Sequence, residues 1–523
     1  MQGSTPPAST IYKTHSDWVR PLEPASNGVL KTTGDFIQLV LKGLYRSPKW
    51  HNFDTSLPHD SLSNIADSLA GFATYLHSKA NNSDSALKEI NELSCRIGLS
   101  EIKLHGSMTL NGILERTKYS KYWNKKLHTA CIRWIELERL LSGSIRHNFS
   151  PFISNQRFIN FQHEQEASQA YLEKQSIMNQ HGESFSLADI AKRTVSNPEV
   201  RRAELMTRIR GCEEFSLDNG DVGEFYTLTL PSEYHACHKR KKKQSYLNAT
   251  YTKKTPRQGN DFLSLIWSRV RSKLHRQGIV PYGFRIVEPH HDGTPHWHLL
   301  LFMPKRHTSL VREAFIEHIL KEHPNEAHLD RRFEPISIDP KTGSAVGYIA
   351  KYVSKNINGK HIETDKDGTN LSNKPSRIRA WASTWGIRQF QGIGQPSVTL
   401  WRFLRANARP MMPIVSQLFD AADKACWKDY MAIQLSEDSG KYEIIRSHEK
   451  RINTITGEIS TTEKNQFDEP VKAPIIGFKH ENTIQISKMH FWRPPKHKLL
   501  EMINIPERSE GTFIFSSSNL GLV

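Results

Sequence analysis

Residues 283–303 read GFRIVEPHHDGTPHWHLLLFM, and this stretch limits what the chain can fold into more than any other. Two runs of strand-forming residues, 284–288 and 296–302, flank the turn-rich HHDGTP, which predicts a β-hairpin. Side chains alternate across a strand, so His296 and His298 must share a face, where two imidazoles can bind one divalent ion. Register decides what joins them. A two-residue Asp292-Gly293 turn would pair Glu288 with Trp297 and turn the carboxylate away from both histidines. A three-residue Asp292-Gly293-Thr294 loop with a bulge pairs Glu288 with His298 and His290 with His296, and so collects all four on one face. The odd-numbered loop is the expectation. Two imidazoles and one carboxylate, with positions left open for water and phosphate oxygens, suit Mg²⁺ or Mn²⁺ acting on a phosphodiester.

A His-x-His pair alone is more often structural than metal-binding, so a second element is needed. Residues 344–357, SAVGYIAKYVSKNI, supply one. Val346, Ile349, Val353 and Ile357 recur at helical spacing and form a buried stripe. Tyr348 and Tyr352, one turn apart, project from nearly the opposite side beside Lys351 and Lys355. Core-filling tyrosines would fall within the apolar stripe. The plainer alternative is a solvated face that carries two exposed tyrosines.

With EFYTLTLPS at 224–232 and WASTWGIRQFQGIGQPSVTLWRFLRA at 381–406, these stretches make a recognisable constellation. The chain resembles the HUH endonucleases, and most closely the bacteriophage replication gene A proteins, two-tyrosine initiators of rolling-circle replication. The resemblance implies an antiparallel sheet carrying the histidines with the nucleophile helix laid against it. It implies a metal held by His296, His298 and Glu288, with Tyr348 and Tyr352 alternating as nucleophiles that nick one strand at the replication origin. Attack would leave a 5′-phosphotyrosine link and a 3′-hydroxyl primer, and the displaced strand would later be rejoined. The partners implied are origin DNA, single-stranded at the nick, with a host helicase and a replication polymerase.

Tyrosine is a poor nucleophile near neutral pH because its phenol is almost wholly protonated. Lys351 and Lys355 each follow a tyrosine by one helical step, where an ammonium can lower a phenol's pKa, clamp a phosphate or simply be solvated. His290 is read as a supporting partner of the ligands and His291 as turn surface. Thr227, Leu228 and Thr229 are read as supporting the sheet beneath the metal.

The whole chain bounds these readings. Its 523 residues leave room for two or three domains. Lys and Arg number 71 against 54 Asp and Glu, a formal net charge of +17 that fits a polyanionic partner. No apolar run approaches the length of a membrane-spanning helix. The opening MQGSTPPAST has no charged leader ahead of an apolar segment, so nothing marks it for export. Cys95, Cys131, Cys212, Cys237 and Cys426 show no paired spacing, which argues against a disulfide framework or zinc knuckle and for a reducing cytoplasm; the resemblance implies that this is the cytoplasm of a bacterial host.

Residues 1–30, rich in Pro, Ser and Thr, are expected to be poorly ordered. A helical N-terminal region is expected over 31–215, the nuclease domain with its tyrosine helix over 223–408, and a partly polar C-terminal region over 409–523. In the first region Leu62, Ile65, Leu69, Phe72 and Leu76 trace one apolar stripe, and Leu87, Ile90, Leu93 and Ile97 another. Residues 186–211 begin like a helix-turn-helix, with a second helix from Asn197-Pro198. Its Arg201, Arg202, Arg208 and Arg210 either contact phosphate or form a solvated face, the plainer reading. From residue 223 the pattern runs strand 224–230, helix 261–276, the hairpin, helix 308–321 and strand 333–338. That β-α-β-β-α-β order predicts an α+β fold with a ferredoxin-like, split βαβ antiparallel sheet, followed by the tyrosine helix. Residues 441–462 are expected to form one hairpin.

Two further features suit DNA. The run HKRKKKQ, 238–244, places Lys239, Arg240, Lys241, Lys242 and Lys243 beside the sheet, where they can guide a phosphate backbone. Trp381, Trp385, Phe390 and Trp401 interleave with arginines such as Arg388, a pattern able to stack single-stranded bases, although at least half of these aromatics are expected in the core. A histidine-triad nucleotide hydrolase is a poor reading because Leu300 stands where a third alternating histidine belongs. The better rival is a non-catalytic single-stranded nucleic-acid-binding module on a ferredoxin-like fold. That rival predicts aromatics on the central strands, where this chain has His296 and His298.

Overall fold

The structure is a computed structural model that describes residues 33–45, 61–324, 328–357, 374–406, 413–436, 442–452, 459–480 and 483–486, apart from positions 107, 148, 180, 240–244, 340, 342, 449 and 462. The expected disorder of 1–30 lies outside these residues. The chain is α+β with antiparallel sheets. Its described residues fall into two compact units, one drawn from 1–142 and 448–474, the other from 143–447 and 475–523.

The first unit is mainly helical. Helices Leu62–Lys79, Ser83–Arg96, Leu110–Thr117 and Ser120–Leu141 bury Leu62, Ile65, Leu69, Phe72, Leu76, Ile90, Leu93 and Ile97 around Trp123 and Leu127. The two apolar stripes are therefore core, with Leu87 packed partly buried at its edge. Ser61 and Asn82 each accept a backbone N–H in the first turn of the helix they precede, at 3.2 and 2.8 Å, which is why those helices start there.

The second unit is built on helix α1 (Pro198–Asp218), strand β1 (Asp221–Leu228), helix α2 (Pro256–Arg276), strands β2 (Tyr282–Pro289) and β3 (Pro295–Pro304), helix α3 (Thr308–Glu322), strand β4 (Phe333–Ser337), helices α4 (Ala345–Ile357) and α5 (Lys374–Trp385), and strand β5 (Phe390–Ile393). The sheet runs β4-β1-β3-β2-β5 with every neighbour antiparallel. Helix α2 starts earlier than expected because Thr255 and Gln258 form a capping box ahead of Pro256. Helix α3 starts after His307, with no side-chain cap from Thr308 or Ser309.

Strand alternation gives the sheet two different faces. Phe225, Phe284, Ile286, Leu300 and Phe302 share a core with Leu205, Ile209 and Cys212 of α1 and Ile349, Val353 and Ile357 of α4. On the other face Tyr226, Trp297, Leu299 and Leu301 are buried, as are Leu263, Ile266 and Val270 of α2 and Val311 and Phe315 of α3. Helix α4 is thus held against the same face to which His296 and His298 belong.

Where β2 begins, Gly283 has φ 147° and a Cβ there would collide with the carbonyl oxygen of Leu300 on β3. Gly283→Ala is expected to destabilise the second unit by about 3 kcal/mol or more, because both the backbone conformation and the strand spacing exclude a side chain. Urea unfolding followed by circular dichroism measures this, and a shift no larger than an exposed-surface substitution gives would refute it.

The single hairpin expected over 441–462 is not formed. Strand Tyr442–Arg446 pairs instead with Ile475–His480, while Lys450–Ile452 pairs with Ile459–Thr461. Tyr442, Ile444 and Ile475 pack on the second unit's core beside buried Phe478, and apolar burial against distant residues outweighs the local turn.

Candidate active site

The β2–β3 hairpin pairs Ile286 with His298, Glu288 with His296 and Pro289 with Pro295. Its loop is five residues, 290–294, closed by His290 N–H to the Thr294 carbonyl at 2.7 Å and Gly293 N–H to the His290 carbonyl at 2.8 Å. The expected odd number holds, but the pairing lies two residues from the one expected: Glu288 sits opposite His296 and diagonal to His298. A shift of two preserves the face, so the carboxylate still joins both imidazoles. The longer loop is held from outside. Trp381 Nε1 of α5 donates to the Gly293 carbonyl at 2.9 Å, and Asp292 accepts from the Thr294 N–H at 3.2 Å and lies 3.2 Å from His235 Nδ1.

Glu288, His296 and His298 offer one ligand atom each, all within 4.8 Å of one another. Glu288 Oε2 lies 3.5 Å from His298 Nε2 and 3.9 Å from His296 Nε2. His298 is buried, and its Nε2 has no hydrogen-bond partner. A buried nitrogen facing a carboxylate without a bond between them is a donor set that fits a divalent cation. On the other edge of the ring, Thr227 Oγ1 lies 3.3 Å from His298 Nδ1, so Thr227 orients the imidazole as well as pairing with it across the sheet. Phe225 stacks on the same ring at 5.5 Å.

Helix α4 begins where Ser344 Oγ accepts the Gly347 N–H at 3.0 Å. Ile349, Val353 and Ile357 are buried as their spacing requires. Tyr352 stands at the edge of that stripe, half-buried, with its ring 4.1 Å from that of His298 and 5.4 Å from that of Phe225. Burial first, and then the Glu288 carboxylate, push its phenol up to about 12. Tyr348, one turn earlier, is 44% exposed and meets Phe225 at 6.0 Å. Lys351 is exposed, with Nζ 5.7 Å from the Tyr352 ring centre. The Lys355 side chain lies outside the described residues.

One residue of the site was not singled out from the sequence. Asn356, one turn beyond Tyr352, is buried, and its Nδ2 donates to Glu288 Oε1 and, at 2.7 Å, to the Tyr352 carbonyl. Its Oδ1 accepts from Gln389 Nε2 at 3.1 Å. Continuing the Tyr348–Tyr352 face by four residues would have found it. Asn356→Ala is expected to weaken Mn²⁺ binding by about 10- to 100-fold, as loss of a residue that orients a ligand does. Titration calorimetry reads this directly, and an unchanged Kd would show that Glu288 needs no such support.

The remaining candidates separate cleanly. The His290 ring lies 4.1 Å from that of His296, and burial holds its pKa down to about 3, so it is a neutral imidazole. His291 stacks on Phe152 at 5.6 Å and meets His147 edge-on at 4.1 Å, so it is packed rather than free turn surface. Arg388 is exposed, with Nε donating to the Phe390 carbonyl at 3.1 Å. The Lys239 side chain and residues Arg240, Lys241, Lys242 and Lys243 lie outside the described residues. Trp381, Trp385 and Trp401 are buried and so cannot stack on bases. The second helix does start at Pro198, but Arg208 on it is buried between Phe284 and Trp427, at 5.1 and 4.9 Å, and bonds Gln395. It is a packing residue because its face of α1 lies against the sheet.

Residues 101–360 match the family model described as bacteriophage replication gene A protein. The chain is 38% identical over 331 residues to the probable replication protein P12 of Pseudoalteromonas phage PM2, covering 61% of the chain and 50% of that protein. It is 35% identical over 360 residues to the replication gene A protein of Escherichia phage 186, covering 66% and 50%. With a probable replication endonuclease from a prophage-like region of Salmonella typhi it shares 31% identity over 341 residues, covering 61% and 42%. The chain thus spans about half the length of the curated relatives it matches. No solved structure matches it.

Proposed function

Because the chain belongs to the bacteriophage replication gene A protein family, we propose that it initiates replication by nicking one strand of origin DNA with a tyrosine of α4, beside a divalent ion held by Glu288, His296 and His298. The observation that carries this reading is the 4.1 Å approach of the Tyr352 ring to His298, which brings together a phenol and a ligand set that lie far apart in the chain. The sheet order β4-β1-β3-β2 with α2 and α3 as the connecting helices supports a ferredoxin-like HUH domain over residues 223–408.

Mg²⁺ or Mn²⁺ suits two imidazoles and a carboxylate, and would polarise the scissile phosphate and offset charge building on its oxygens. The protein's own residues do the rest. Tyr352 loses its phenolic proton and its oxygen bonds phosphorus; the bond from phosphorus to the 3′ oxygen breaks, and that oxygen takes up a proton. One phosphodiester replaces another, so resealing needs no nucleotide cofactor. The 5′ end stays on the tyrosine and the 3′-hydroxyl primes a polymerase. Tyr348, one turn outward, accepts the strand in the second transfer. Lys351, Lys355, Arg388 and the run Lys239, Arg240, Lys241, Lys242, Lys243 supply positive charge for the backbone of DNA that a host helicase keeps open. All five cysteines are free, which suits work in the reducing cytoplasm of a host; among the described residues no helix is long and apolar enough to cross a membrane.

The test is incubation of the full chain with single-stranded DNA carrying the cognate origin and Mn²⁺. A covalent protein–DNA adduct that chelator prevents is expected. Binding without any adduct would overturn the reading in favour of a non-catalytic nucleic-acid-binding module.

A further inference from the structure

Beyond the hairpin tip lies a cavity of about 450 Å³ whose lining includes Arg146, His235, His238, His290, Arg331 and Arg332, a size in the range of sites for small ligands. The lining holds one carboxylate, Asp292, and that group is already engaged. It lies 3.2 Å from His235 Nδ1 and accepts the backbone N–H of Thr294 at 3.2 Å and of Cys237 at 3.5 Å. Arg332 is 3% exposed and fixed by Nε donating to the Thr229 carbonyl at 2.7 Å. Arg146 and Arg331 are exposed, and neither guanidinium meets a carboxylate among the described residues. The net charge the cavity has left to offer is positive, which suits a ligand that accepts hydrogen bonds and carries negative charge. It is no metal cage, because among the described residues only Glu288, His296 and His298 bring three ligand atoms together.

His290 ties the cavity to the site. It lines the cavity, its Nε2 is buried without a hydrogen-bond partner, and its ring lies 4.1 Å from that of His296. The cavity therefore adjoins the three ligands through this one imidazole.

We propose that this cavity binds the phosphate of a nucleotide adjoining the scissile one, between Arg146 and Arg331. The proposal rests on the nuclease reading for the identity of the strand, and on the cavity alone for the phosphate. The probe is a fluorescein-labelled single-stranded DNA of mixed sequence, about 20 nucleotides long and thus longer than a single binding site, with chelator present, read by anisotropy over a range of salt. The double variant Arg146→Ala/Arg331→Ala is expected to bind about tenfold more weakly. Its log–log salt slope should fall by about 0.7, the value for one phosphate contact on a single strand. The comparison variant Arg271→Ala/Arg276→Ala removes the same charge from exposed positions on α2 and is expected to stay within about twofold of wild type. An unchanged affinity in the cavity variant, or an equal loss in the comparison variant, overturns the proposal. The adduct assay with wild-type protein separates the two readings: an adduct with unchanged binding by the cavity variant sinks the cavity alone, whereas weakened binding with no adduct from wild type sinks the nuclease and leaves a site for DNA phosphate.

Discussion

Tyr352→Phe is expected to lower covalent adduct formation on single-stranded origin DNA by about three orders of magnitude or more, whereas Tyr348→Phe should leave the first nick and impair strand transfer. The size of the effect is that of removing a nucleophile outright. The asymmetry comes from position. The Tyr352 ring stands 4.1 Å from that of His298, while Tyr348 lies one turn outward, 44% exposed, against Phe225. Phenylalanine keeps the ring that stacks on Phe225 and His298, so the Tyr352 variant should unfold within about 1 kcal/mol of wild type, and loss of adduct cannot be put down to misfolding. Denaturing gels of labelled DNA read the adduct, and circularised product reads the transfer. An adduct that survives in Tyr352→Phe and vanishes in Tyr348→Phe would reverse the order.

His298→Ala should cost nearly as much, about a thousandfold in adduct formation with Mn²⁺, since it removes a proposed ligand and the ring beside the phenol. It should also destabilise the second unit by about 1–3 kcal/mol, because the imidazole is buried between Phe225 and Tyr352. His296 is only partly buried, so His296→Ala should lose metal with little change in stability. Titration calorimetry with Mn²⁺ beside urea unfolding separates these outcomes. Full activity in His298→Ala that still responds to chelator would place the metal elsewhere.

Much of the local structure was legible from pattern. The helical stripe of Ile349, Val353 and Ile357 is buried, the strands and helices from β1 to β4 follow the expected order, and Glu288, His296 and His298 come together on one face. Less legible was anything that depends on a distant partner. Asn356 carries no signal of its own in the sequence, and its role appears only when β2 brings Glu288 to it. Arg208 reads from sequence as part of a solvated charged face or a phosphate contact, and is neither, because Phe284 and Trp427 close around it.

The sequence by itself determined which side chains share a face, because the two-residue period of a strand and the 3.6-residue period of a helix follow from backbone geometry and need no neighbour. Only the tertiary structure decided the five-residue loop, pinned by Trp381 and by His235 beside Asp292, the Glu288–His296 register that goes with it, and the partner of strand Tyr442–Arg446. Those choices turn on burial and hydrogen bonds between residues tens to hundreds of positions apart, and no short window of sequence contains both sides of such a contact.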